Sequence, residues 1–489
     1  MENRKKTGFI LGPVLFLLAY FFPLLPQNPR ASRLLAVFLL IVVWWVTECI
    51  PIPVTALLIP VFLTVFQIAP VRDAFAPFAN PIIMLFLGSF ILARAMSAHY
   101  LDQKLAFSIL SLKSIAHKKT RILFAMGLTT LFLSMWISNT ATTAMMFPIA
   151  LGILDAFQSK KDRNATSSFS VVLLLLIAYS ASIGGIGTPI GSPPNLIAIG
   201  MLEKLASYRV TFFQWMLTSF LVLIPMFFVL YFFMRFSLKT EEKPKKVRDI
   251  VLPGEAMIQK RLTRAQINVL AAFSTTVFLW VFPGFISLLL GRDAPFYLWL
   301  QRHFPESVAA IIGAGLLFIL PVNLRRGQFT LSFKEAVKID WGTLLLFGGG
   351  LSLGFQMFET GLADVIGKFF ISSGGSSATL SVITLLSIAF SVYLTEVTSN
   401  TASANMVIPI IIAISQAASI NPLPPVLGSA LGCSFAFMLP VATPPNAIVY
   451  GSGMIHLPQM IKFGFWLNIA GVIIIWIGIR FIAPFLGLI

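Results

Sequence analysis

Charge is scarce in these 489 residues: only 11% are Asp, Glu, Lys or Arg, against 57% hydrophobic. That is less than half the charged share of an ordinary soluble domain, so a water-soluble globule is excluded. The two cysteines, Cys49 and Cys433, both lie in apolar runs, which excludes a disulfide framework and a thiolate metal site. His99, His117, His303 and His456 are scattered, with no pair at metal-ligand spacing. Acids are scarcer than bases, 18 Asp plus Glu against 35 Lys plus Arg, for a formal charge of +17. The cations fall between apolar segments, where they orient membrane spans; no nucleic-acid partner is implied.

What the chain does have is a mean hydropathy of +0.89, 46 Phe and many apolar runs near twenty residues, the length of a membrane-crossing helix. This predicts an all-α polytopic membrane protein. Four crossings are read from Phe9 to Leu25, Leu34 to Ile50, Val54 to Ile68 and Ile82 to Met96. Arg4, Lys5 and Lys6 precede the first, which lacks a small-residue cleavage site and is expected to be a retained span with a cytoplasmic N-terminus. Lys104, Lys113, Lys118, Lys119 and Arg121 follow the fourth. Between them Leu101, Leu105, Ile109 and Leu112 recur at helical spacing, as in an amphipathic helix lying on the membrane surface.

The stretch from Ile122 to Phe157 is too long for one untilted helix, is basic on both flanks (Lys160, Lys161 and Arg163 follow it) and carries Ser138, Asn139 and Thr140 near its middle. A re-entrant helical hairpin opening to the cytoplasm meets all three conditions. The segment from Phe169 to Gly200 holds Gly184, Gly185, Gly187, Pro189, Gly191, Pro193 and Pro194, and reads as a broken span. Crossings then follow at Phe212 to Phe233, Ile267 to Leu290, Val308 to Leu320 and Gly342 to Phe358, with a strongly basic loop after the first of these. A second hairpin from Leu380 to Ile420, entering from outside, a second broken span from Pro424 to Met454 and a last span from Phe463 to Leu486 make eleven crossings and an external C-terminus.

An internal repeat carries the polar motifs. Ser138, Asn139, Thr140, Ala141, Met145, Pro148 and Ile149 reappear as Ser399, Asn400, Thr401, Ala402, Met406, Pro409 and Ile410, each 261 positions on. The same shift relates Leu85, Phe86, Gly88, Leu92 and Met96 to Leu346, Phe347, Gly349, Leu353 and Met357. Pro193, Pro194, Asn195, Ile197 and Gly200 match Pro444, Pro445, Asn446, Ile448 and Gly451 at a shift of 251, with Ser192 opposite Thr443. Five crossings separate the copies, an odd number, so the repeat is inverted in the membrane. Inverted repeats with interrupted helices typify secondary transporters, whose sites form at the midplane.

Helix capping alone would explain one Ser-Asn-Thr. Two copies on mirror-related hairpins, each followed by a Pro-Pro-Asn break, instead favour a paired site. Neutral hydroxyl and amide oxygens suit Na⁺, while helix N-termini and O–H and N–H donors suit a carboxylate. Neither motif contains Arg or Lys, so a bound dianion would need co-bound cations to offset its charge, which couples the two ligands.

These motifs, with Gly191-Ser192-Pro193-Pro194-Asn195 and the Thr47-Glu48 and Pro51-Ile52-Pro53 region, resemble the divalent anion:sodium symporter family over nearly the whole chain, most closely its bacterial sodium-coupled dicarboxylate members. The resemblance implies that Ser138, Asn139, Thr140, Ser399, Asn400, Thr401, Thr443 and Pro444 hold substrate. It implies one Na⁺ among Ser134, Ser138, Asn139 and Gly191, and another among Thr395, Thr398, Asn400 and Ala442, partly through backbone carbonyls. Ser134 and Thr395 are themselves 261 positions apart, and Gly191 and Ala442 are 251 apart. It further implies a homodimer in the bacterial inner membrane and an elevator-type motion. The moving parts would be residues 122–236 and 379–489, the scaffold residues 1–121 and 266–378, and 237–265 the basic cytoplasmic loop.

The expected activity is Na⁺-coupled import of C4-dicarboxylates such as succinate, malate or fumarate, with no organic cofactor and no enzymatic reaction. A sodium-independent dicarboxylate exchanger is the alternative on the same fold, with Arg94, otherwise expected to snorkel to the interface from the end of its span, as a candidate fixed cation; an ion channel is the alternative of another class. Glu48 and Glu396 are intramembrane acids with no assigned role.

Overall fold

A computed structural model describes residues 2–110, 118–157, 168–238, 261–374 and 379–485. His117, Lys113, Lys160, Lys161, Arg163 and most of the basic loop lie outside the described residues.

The chain is built almost wholly of helices. The first stretch comprises α1 (Glu2–Phe21), α2 (Pro29–Thr47), α3 (Ile52–Val65), the short α4 (Val71–Phe75), α5 (Pro81–Ala98) and α6 (Leu101–Leu110). Next come α7 (Lys119–Ser134) and α8 (Asn139–Phe157), a hairpin, then α9 (Ser168–Gly185) and α10 (Pro193–Ala206), one helix broken in the middle, and α11 (Phe212–Phe236). The second stretch has α12 (Arg264–Leu290), α13 (Pro295–His303) and α14 (Glu306–Ile319), with a small antiparallel pair, β1 (Pro321–Asn323) and β2 (Gln328–Phe329), turning at Gly327. After α15 (Phe333–Ala336), α16 (Trp341–Glu359) and α17 (Leu362–Gly374), the pattern of hairpin, broken helix and long helix recurs. Its members are α18 (Leu380–Leu394), α19 (Asn400–Ala417), α20 (Leu423–Gly432), α21 (Pro444–Tyr450) and α22 (Leu457–Phe485).

Both hairpins and both breaks fall where the sequence predicts them. By length and apolarity, six described helices are able to cross a membrane, among them α2, α9, α11 and α12, and the bent pair α13–α14 makes a seventh. The shorter apolar helices α3, α18 and α20 and the interrupted segments fall outside that measure. Among the described residues, α13, α17, the β1–β2 pair and the short helices α4 and α15 do not appear in the predicted pattern.

The repeat governs packing as well as sequence. α9 packs against α7, α8 and α11 as α20 packs against α18, α19 and α22. The two halves also embrace: α5 lies along α14 and α16 along α3. Gly88 and Gly349, repeat partners, permit those crossings, because a Cβ would lie 2.6 Å from the Ala310 carbonyl oxygen in one and 2.4 Å from that of Ala56 in the other. Small residues are what allow helices to approach this closely in lipid.

Burial follows from composition. α9 is apolar all round, and every residue from Phe169 to Gly185 is buried, as expected of a helix ringed by protein. By contrast Phe9, Ile10, Leu17, Leu18 and Phe21 on α1, and Phe278, Phe285 and Leu288 on α12, are exposed, as side chains facing lipid would be. On one rim Arg209, between α10 and α11, pairs with Glu306 at 3.3 Å, joining the first broken segment to α14.

Candidate functional site

The first hairpin turns at Met135–Ser138. Ser134 Oγ, closing α7, donates to Asn139 Oδ1 at 2.8 Å, and Ser138 caps α8 by accepting from the Ala141 N–H at 3.3 Å. The second hairpin repeats this: Thr395 Oγ1 lies 2.8 Å from Asn400 Oδ1, and Ser399 accepts from the Ala402 N–H at 3.2 Å. Thr395 Oγ1 is also 2.9 Å from the Cys433 carbonyl oxygen. One hydroxyl proton serves one acceptor well, so three oxygens meet there with a surplus of lone pairs. Such a cluster suits a hard cation.

At the first break the same excess appears in the backbone. A Cβ at Gly191 would stand 2.6 Å from the Gly185 carbonyl oxygen, 2.9 Å from that of Met135 and 3.0 Å from that of Ser134. Glycine leaves this space among three carbonyls open; of Ser134, Ser138, Asn139 and Gly191, expected to share a cation, Ser134 and Gly191 border it, Asn139 is bonded to Ser134, and Ser138 is engaged in capping α8.

Each unwound segment is held open by an asparagine. Asn195 Nδ2 donates to the carbonyls of Gly185 (2.9 Å) and Thr188 (2.8 Å). Asn446 Nδ2 donates to those of Ala436 (2.9 Å) and Leu439 (3.0 Å). Both side chains are fully buried. The two halves meet here, with Ser192 Oγ 3.0 Å from Ser434 Oγ and the Tyr179 hydroxyl donating to the Phe437 carbonyl at 2.7 Å.

The predicted substrate residues crown helix N-termini, where freed N–H groups and the helix dipole favour anions. Ser138 and Thr140 are exposed and Asn139, Ser399, Asn400 and Thr401 are half-buried. Thr443 caps α21 by accepting from the Asn446 N–H at 3.3 Å, and Pro444 is its first residue. α21 packs on α8, joining the second break to the first hairpin. Two predicted ligands are less direct: the Thr398 hydroxyl turns to the Trp45 carbonyl at 3.3 Å, and Ala442 is buried with only a backbone oxygen to offer.

Glu396, unassigned from sequence, is 4% exposed. Its carboxylate accepts from the N–H groups of Phe437 (2.7 Å), Met438 (2.8 Å) and Leu439 (3.1 Å) and from Asn468 Nδ2 (2.7 Å). Arg94, near the end of α5, is ion-paired to Glu335 of α15, which lies outside the apolar segments. Lys338 first, and then Arg94, hold the Glu335 carboxyl down at about 2.

Both hairpin tips lie against neighbouring helices, the first against α5 and α12 and the second against α2. Trp136 stacks edge-on against Phe273 of α12 at 5.3 Å, and Ile137 packs with Leu92, Ala95 and Met96 at the end of α5. At the end of α2, Trp45 meets Thr398. Arg4 of α1 donates to the Val46 carbonyl and to that of Val397 at 2.7 Å.

Fold and site thus define a polytopic helical membrane protein with an internal repeat and paired oxygen clusters at its helix breaks. Residues 6–489 match the family model described as the sodium:sulfate symporter transmembrane region, and the chain belongs to that family of transporters; it is not an enzyme. It is 34% identical to the sodium-dependent dicarboxylate transporter SdcS of Staphylococcus saprophyticus, over 98% of this chain and 92% of the relative. It is 35% identical to the protein of the same name from Staphylococcus aureus USA300, over 98% and 91%. The YdaH transporter of Alcanivorax borkumensis shares the fold, with a TM-score of 0.53 at 13% identity over 86% of this chain and 88% of that one.

Proposed function

We propose that this protein imports C4-dicarboxylates such as succinate, malate or fumarate together with Na⁺. The observation that carries the reading is the pair of oxygen clusters, Ser134 with Asn139 and Thr395 with Asn400, each beside a helix N-terminus. Cations at the clusters would neutralise a dianion held by Ser138, Asn139 and Thr140 from one side and by Ser399, Asn400, Thr401, Thr443 and Pro444 from the other. Gly191 completes the first cation site, and backbone oxygens near Thr398 and Ala442 the second. The names of the staphylococcal relatives, sodium-dependent dicarboxylate transporters, agree with this cargo.

In this reading the chain crosses the bacterial inner membrane eleven times, with its N-terminus cytoplasmic, and works as a homodimeric elevator. Residues 122–236 and 379–489 move against a scaffold of 1–121 and 266–378. Alternating crossings then make the ends of α2 and α5 and the start of α12 cytoplasmic. The contacts of both tips with those ends support an inward-facing state.

Radiolabelled succinate uptake into proteoliposomes of the purified protein is the test, with citrate and sulfate as competitors at varied Na⁺. Saturable, sodium-driven uptake competed by dicarboxylates is expected, and Asn139→Ala or Asn400→Ala should weaken succinate and Na⁺ together. Counterflow indifferent to Na⁺ would make the protein an exchanger, and single-channel conductance without counterflow would make it a channel.

A further inference from the structure

The two halves are alike in their hydroxyl–amide pairs and unlike in what steadies the unwound backbone beside them. In the first half the repeat partner of Glu396 is Met135, 261 positions earlier. There the amides keep turning on themselves, Ile186 N–H to Ile183 and Gly187 N–H to Gly184. Neutral donors, Trp215 Nε1 and Ser219 Oγ, hold the carbonyls of Ile186 and Gly187. In the second half three consecutive amides, Phe437 to Leu439, point to one carboxylate. Because a trans peptide sets its C=O opposite its N–H, the carbonyls of Ala436 and Phe437 face the other way, where Asn446 and Tyr179 take them.

Glu396 directly follows Thr395, whose hydroxyl joins Asn400 and the Cys433 carbonyl in the second oxygen cluster. A fixed anion inside protein raises the affinity of a cation site within several ångströms, where water screens it weakly.

Resting on the sodium-coupled reading, we propose that Glu396 is a positioning residue that makes the two cation sites unequal. Its carboxylate sets the unwound segment and lends negative charge to the second-half site, which therefore fills with Na⁺ first. The first-half site, with no acid at its hairpin tip, fills second.

The test is ²²Na⁺ binding to the purified full-length protein without substrate. The wild type should show two phases, with Thr395→Ala removing the tighter and Ser134→Ala the weaker. Glu396→Gln, which keeps the side chain's size, should shift the tighter phase to roughly tenfold higher sodium and leave the weaker one in place. Glu396→Asp, which keeps the charge, should hold it within about threefold. An unchanged tight phase in Glu396→Gln, or an equal shift of both phases, overturns the proposal. Where neither variant at 396 elutes as the wild type does, loss of the tighter phase in Ser134→Ala overturns it instead. Absence of any sodium binding by the wild type would sink the symport reading itself.

Discussion

Asn195 and Asn446 stand 251 positions apart and make the same two bonds, each amide nitrogen bridging two carbonyls three residues apart in an unwound segment. Equivalent positions in the two halves have thus kept one structural task. Replacing either with Ala leaves one buried carbonyl, that of Gly185 or Ala436, without its donor, while the carbonyls of Thr188 and Leu439 keep the N–H groups of Gly191 and Ala442, at a cost of about 1–3 kcal/mol. Thermal unfolding in detergent should show a clearly lowered midpoint for each variant, and an unchanged midpoint would show that water replaces the clamp.

Gly191 and Ala442 offer a sharper contrast. Gly191→Ala puts a methyl among the carbonyls of Gly185, Met135 and Ser134, so the half-saturating sodium for uptake should rise at least about tenfold, the equivalent of losing one good ligand. Ala442 already carries a methyl, and Ala442→Gly should have a far smaller effect. Equal responses would mean that the carbonyl cradle does not hold the ion.

Arg4 ties the second hairpin's tip to the first two helices through the carbonyls of Val397 and Val46. It is exposed, so its contribution is modest. Arg4→Gln should move the resting population away from the observed arrangement by up to about tenfold. The readout is accessibility of a cysteine introduced at Val397 to a membrane-impermeant thiol reagent, in a Cys49→Ala, Cys433→Ala background; the same accessibility with and without Arg4 would dismiss the tie.

The Glu335 carboxyl, lowered to about 2 by Lys338 and Arg94, gives a pH signature with a definite sign. A depressed acid contributes stability that is full above its ordinary value near 4.5 and is lost as pH falls toward 2. The difference in melting temperature between wild type and Glu335→Gln should therefore stay constant from pH 7 to 5 and shrink below about 4.5. Because the carboxylate is solvent-facing, the difference will be small. A gap that widens in acid contradicts the assignment.

The hairpins and breaks were legible because two independent signals coincide at each: an apolar stretch too long for one crossing, and polar or helix-breaking residues at its centre. A shift that stays fixed through Ser138 and Ser399, or Asn195 and Asn446, adds register to both. α17 is not legible in the sequence, because the face that packs on α19 is interleaved with Asp364 and Lys368, a mixture that reads as a linker in any average. α13 is short and ends in Gln301, Arg302 and His303, too polar for a span. The partners of Glu396 and Arg94 lie 41 to 72 and 241 positions away. No local pattern announces that an isolated acid will meet backbone amides rather than a metal or a base.

The ion pair between Arg209 and Glu306 lies on the rim, partly open to water, whereas the hydroxyl-bearing members of the oxygen clusters, Ser134 and Thr395, are buried. Dissolved salt at physiological strength screens exposed charges beyond about 8 Å and weakens such a bridge, but meets the buried hydroxyls of Ser134 and Thr395 only as an ion bound beside them. On the sodium-coupled reading, sodium chloride therefore acts on this molecule twice, as cargo within and as a loosener of the rim. Titrations with a bulky inert cation making up the difference will separate the two effects, and those without it will overstate how steeply transport depends on sodium.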